Sequence, residues 1–171
     1  MVRMEQDTPQ THILPDITDI AVGAESRIHG LLDTFELQGA RLYGVNVALA
    51  GAQQPNLCLI AQHPDVYDLL DAPSSSLARM FDAAAIVTTG WAAPLAQDGA
   101  VQGPPSLHAM RRRVRLTVAV ADNGVASVLR FGDDPDNVIT DPGSATGSLA
   151  EAITRFWYDP PITLPASPRG D

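Results

Sequence analysis

One stretch constrains this chain more than any other: Arg111 to Asp134, RRRVRLTVAVADNGVASVLRFGDD. Val114, Leu116, Val118 and Val120 alternate with Arg115, Thr117, Ala119 and Ala121, the period-two pattern of a strand with two unlike faces. Asp122-Asn123-Gly124 follows, and Asn-Gly is a strong hairpin signal because a type I′ turn needs φ > 0 at both central residues. Val125 to Phe131 reads as the returning strand. A two-residue Asn123-Gly124 turn predicts Val120 opposite Ser127, Val118 opposite Leu129, Leu116 opposite Phe131 and Arg113 opposite Asp134. The bulky apolar side chains of both strands then share one side of a sheet. A slip of one residue would set Leu116 against Arg130 and destroy that agreement.

The other side of the hairpin carries Arg111, Arg113, Arg115 and Arg130. Such a row is either a solvated sheet face or an anion site. On a solvated face, an Arg113–Asp134 cross-strand pair would contribute about 0.2–1 kcal/mol. In an anion site, clustered guanidinium forks would hold phosphate or nucleic acid. The solvated face is the simpler outcome, because Asp133, Asp134 and Asp136 follow at once and neutralise the row. A formal net charge of −9 also disfavours nucleic acid as a partner.

The 171 residues are 45% apolar, enough for one domain with a sizeable core. The pattern places that domain at 18–158, between a flexible arm (1–17) and a flexible Pro-rich tail (159–171). The tail holds Pro165 and Pro168 at the spacing of a polyproline ligand. Residues 19–37 read as a helix with the stripe Ile28, Leu31, Leu32 and Phe35, Asp19 and Glu25 towards its positive end, and Gly39 as its stop. His29 is expected to face solvent.

Arg41–Ala50 and Leu57–Gln62 read as an antiparallel pair of strands joined by GAQQPN. The second is apolar on both faces, so a central position and a buried Cys58 are expected. Short helices follow from Asp65 to Ala84, with His63 as a capping or loop residue, and then a strand from Ala85 to Trp91. Two long loops are expected, at 93–107 and 132–147. Ser148 to Glu151 is a capping box opening a last helix that carries Leu149, Ile153, Phe156 and Trp157. The order α-β-β-α-β-β-β-α predicts an α+β domain, an antiparallel sheet of about five strands with helices packed against it.

Complete catalytic signatures are missing. Cys58 is the single cysteine, and His63-Pro64 lacks the further ligands of a zinc site. Gly143 to Ser148 precedes a helix but lacks the lysine and glycine spacing of a phosphate loop. Asp133-Asp134-Pro135-Asp136 lacks the ligand spacing of a calcium loop. No catalytic residue, metal or cofactor is therefore assigned. The opening MVRMEQDTPQTH has no apolar leader segment, and no apolar run approaches the ~20 residues of a membrane span. A cytoplasmic location away from membranes is expected.

The blocks AIVTTGWAAPL, RRRVRLTVAVADNGVASVLRFGDDPD and GSLAEAITRFW, within residues 84–157, resemble conserved proteins of high-GC, actinobacterial-type genomes. That resemblance implies no activity and transfers no functional residue. The element order is similar to that of roadblock-type and profilin-like domains, which implies a dimerising or scaffolding module at the level of fold analogy alone.

Trp91, Trp157 and Tyr158 stand at element ends, and such residues are enriched at interfaces. With the arginine row they are the candidate binding residues. The leading expectation is a non-enzymatic module that binds a protein partner, a second copy of the chain among the candidates. The first alternative is a small-molecule-binding protein or enzyme with a pocket under the 93–107 loop, between Trp91 and His108. The second is anion or nucleic-acid binding on Arg111, Arg113, Arg115 and Arg130.

Overall fold

A computed structural model describes residues 14–47, 54–93, 103–141 and 147–158. Residues 1–13 of the expected arm, the 159–171 tail, the far end of the first strand with most of its turn (48–53), the centre of the first long loop (94–102) and 142–146 lie outside the described residues. The elements are α1 (Ile17–Leu31), β1 (Ala40–Asn46), β2 (Asn56–His63), α2 (Val66–Asp71), a 3-10 helix (Pro73–Met80), β3 (Ala83–Ala92), a 3-10 turn (Pro105–Leu107), β4 (Arg112–Ala121), β5 (Gly124–Phe131), β6 (Val138–Thr140) and α3 (Ser148–Tyr158).

The six strands form one antiparallel sheet in the order β2-β1-β3-β4-β5-β6, so the fold is α+β as expected, with one strand more. The extra strand is β6, only three residues long, inside the stretch expected to be loop. The helices form two layers. α2, the Pro73–Met80 helix and α3 cover one face, where Leu42, Ile86, Val118 and Val120 pack against Leu69, Ala78, Ile153 and Phe156. α1 covers the other, where Ile17, Ile20, Ala21 and Ala24 meet Ala83, Ala85, Ala119, Ala126 and Val128. Alanines on both sides of that contact leave little side chain between helix and sheet.

The hairpin folds as expected in parity but not in register. Ala121 pairs with Gly124, Val118 with Ser127, Leu116 with Leu129 and Val114 with Phe131, so the turn residues are Asp122 and Asn123. The expected pairs are displaced by two residues, which keeps each side chain on its expected face. The cause is local. Among the described residues none but glycine has positive φ, so Asn123 does not take the conformation that a type I′ Asn-Gly turn demands. Gly124 has positive φ, 137°, but stands as the first residue of β5 outside the turn, and Asn123 Nδ2 donates to the Pro15 carbonyl at 2.7 Å.

Other expectations are corrected by tertiary contacts. α1 begins two residues earlier, with Asp16 capping the Thr18 amide at 2.8 Å, and ends at Leu31. Residues beyond it turn onto the sheet: Leu37 is buried, and its amide and carbonyl both bond Thr89 Oγ1. The stripe therefore shifts to Ile17, Ile20, Ala21, Ala24, Glu25 and Ile28, leaving Leu31 half exposed. β2 lies at the sheet edge rather than its centre, and Cys58 is exposed. Asp65 caps α2 by accepting from the Tyr67 and Asp68 amides. Ser148 is the first residue of α3, and its hydroxyl bonds Tyr67 Oη at 2.8 Å.

Candidate interaction surfaces

The arginine row separates into a part buried under α1 and an outer part that stays exposed. Arg115 and Arg130 are 1% and 8% exposed, and Glu25 from α1 is 2% exposed between them. Arg130 grips the Glu25 carboxylate with two parallel bonds, Nε and Nη2 each at 2.6 Å. Arg115 Nη2 stands 3.8 Å from the same carboxylate and donates to His29 Nδ1 at 2.6 Å. The Phe35 ring closes over the Arg115 guanidinium at 5.1 Å, and Arg130 Nη1 donates to the Pro135 carbonyl.

This cluster is a structural clamp. Two guanidinium groups face one carboxylate, and taking such charges out of water costs several kcal/mol each. Bidentate geometry and the low local dielectric offset that cost. His29 takes part by accepting, so its Nδ1 is deprotonated. Burial, then the two arginine charges, hold its pKa below the ordinary histidine value. Sequence reasoning gave His29 no role and treated Glu25 as a helix-dipole residue. The missing signal was the contact itself, which spans 105 positions between Glu25 and Arg130.

The outer part is exposed but internally paired. Arg113 bonds Glu36, Nε at 2.7 Å and Nη2 at 2.6 Å, rather than Asp134. The Arg113 bond holds the Glu36 carboxyl below the usual carboxylate range. Arg112 plays the corresponding part with Asp133. Trp91 is 41% exposed and pairs across strands with Arg113, with the Arg111 and Arg113 guanidinium groups each 5.0 Å from its ring centre. Leu107 and Met110 are exposed beyond it.

Trp157 and Tyr158 serve the fold. Trp157 Nε1 donates to Asp122 at 3.0 Å and Tyr158 Oη to the Ala121 carbonyl at 2.5 Å, fastening the end of α3 to the hairpin turn. Half of Tyr158 nevertheless stays in solvent.

The described residues include an apolar hollow of about 180 Å³ between Pro15, Ile20, Gly23, Val45, Val47 and Pro55. Ligand sites usually span about 300–1,000 Å³. The hollow lies by α1 and β1, away from the expected position between Trp91 and His108, where 94–102 lie outside the described residues. No group of three His, Cys, Asp or Glu among the described residues could hold a metal ion, and no described helix is long and apolar enough to cross a membrane.

The two sheet edges differ most. β6 has three residues and is bracketed by Asp133, Asp134 and Asp136 before it and Asp141 after. β2 has eight, NLCLIAQH, with no acidic residue, lysine or arginine and with proline only outside its ends. Its register with β1 jumps from Leu42↔Ala61 to Tyr43↔Leu59, a bulge at Ile60. Leu59 shares the α1 side with Tyr43, yet α1 packs mainly over β4 and β5, so Leu59 remains 44% exposed. Comparison with protein families, curated proteins and solved structures yields no match to this chain.

Proposed function

We propose that this chain is a protein-interaction module rather than an enzyme, and that β2 is the element that meets the partner. The observation that carries this is the unblunted edge. A sheet edge presents a row of backbone donors and acceptors, and proteins suppress unwanted pairing with charge, proline, shortness or cover. β6 has shortness and neighbouring aspartates. Within β2 itself only the bulge suppresses pairing, with Pro55, Pro64 and Asp65 just outside its ends, and no described element pairs with its outer side.

An added strand would gain main-chain hydrogen bonds along β2 and apolar contact at Leu59. Placing a cation on the strand should abolish that binding. Side-by-side affinity capture with wild type, Leu59→Lys and Trp91→Ala tests the proposal. Proteins retained by wild type and Trp91→Ala but lost with Leu59→Lys support it. The same set retained by all three would overturn it.

A further inference from the structure

The strand that fits β2 best is another β2. We infer that, if β2 is the interaction edge proposed above, its partner is a second copy of this chain, paired antiparallel about a two-fold axis to make one continuous twelve-stranded sheet from two six-stranded ones.

Charge selects this occupant. The chain carries −9 overall, so two copies repel over most of their surfaces. β2 has no charged side chain apart from a titratable His63 at its end, so the strand can meet itself without opposing like charges. The other edge cannot do so, because a β6 pair would bring two sets of Asp133, Asp134, Asp136 and Asp141 together.

Side-chain order is also self-matching. Leu57 and Leu59 lie on the same side, opposite Val45 and Tyr43 of β1. An antiparallel copy centred on Cys58 sets Leu57 of each chain beside Leu59 of the other. That cross-strand pair would cover the leucine that α1 leaves exposed. The regular stretch Asn56–Leu59 lies ahead of the Ile60 bulge, so the bulge need not enter the centre of the pair. A contact built on one strand edge falls below the ~1,200 Å² of a standard interface, so association in the micromolar range is expected.

Sedimentation equilibrium of the purified full chain tests this, with Leu59→Lys and Cys58→Lys at two exposed positions as separate variants. The expected result is a wild-type dimer weakened at least about tenfold by either lysine, which places like charges across the axis. Cys58 is the chain's only cysteine, so a nitroxide there reports geometry. Any antiparallel overlap of five residues or more puts the two Cys58 backbones within roughly 20 Å of each other.

A wild-type monomer up to about 1 mM would overturn the inference. The proposed function would survive that result if β2-dependent capture of another protein persisted. A dimer unaffected by both lysines, or with Cys58 labels far apart, would place self-association elsewhere and overturn the inference. A monomer whose β2 amides resist exchange at every concentration would assign the edge to the chain's own terminal segments, and would also overturn it.

Discussion

The two halves of the sheet are finished in opposite ways. On the β4-β5-β6 side, α1 lies close on an alanine-rich surface and is clamped by Glu25 to Arg130 and Arg115, while Arg130 also holds the Pro135 carbonyl before β6. On the β1-β2 side the helix reaches only the start of the last strand, near Pro55 and Leu57, and Leu59 and Cys58 stand in solvent. One half uses charged groups internally, to fasten layers. The other leaves a neutral backbone edge outward. The arginines, the most conspicuous feature of the primary structure, serve cohesion, and the plain strand is the better candidate for recognition.

The largest effect is expected at the clamp. Glu25→Ala leaves two buried guanidinium groups facing each other and should cost about 3–5 kcal/mol in urea denaturation. Replacing Glu25, Arg115 and Arg130 together by apolar residues of similar volume should restore most of that loss, because no uncompensated charge remains. A small effect of Glu25→Ala would mean that the cluster is hydrated and the clamp unimportant.

The opposite face provides the apolar control. Ile153 of α3 is fully buried, and Ile153→Ala should cost about 3 kcal/mol through lost burial and the cavity left behind. Unlike the clamp, this loss should be insensitive to pH between 5 and 8, a range in which no group in that apolar cluster titrates.

His29 yields a smaller, pH-dependent effect. Its folded pKa lies below its unfolded value, so the unfolded chain binds the proton first as pH falls. Stability should therefore be full above about pH 6.5 and decline as pH drops through the folded pKa. Urea midpoints of wild type and His29→Gln from pH 8 to 5 would show the decline in the former and its reduction in the latter. The exposed pairs Glu36–Arg113 and Asp133–Arg112 have depressed carboxyl pKa values, so their contribution is full above the ordinary carboxylate range and is lost as pH falls through that range to the folded pKa. Smallest of all, Trp91→Ala should change stability by less than about 0.5 kcal/mol, since the ring is half in solvent and its partners keep other bonds.

Much of the fold was legible because β4 and β5 alternate cleanly: parity alone put the apolar side chains on one face and the arginines on the other. Register was not, because Asn-Gly chemistry competed with a tertiary bond from Asn123 to Pro15 that no local pattern encodes. β6 was missed because three residues after an aspartate-rich turn carry no periodicity. β2 was misplaced for a related reason. An apolar run looks the same whether a strand is buried between neighbours or left at an edge awaiting one. The arginine row was visible as a row, but its meaning depended on Glu25 and His29, about two and three helical turns into a mostly apolar helix face. The candidate edge is a property of topology, and only the strand order exposes it.

Amide hydrogen exchange at both edges, compared at low and high protein concentration, decides whether β2 pairs with itself. Concentration should protect the amides within Asn56–Ile60 that do not bond β1 and leave those of Val138–Thr140 unchanged. Protection gained at Val138–Thr140 instead, or at neither strand, would contradict a self-pairing β2 edge.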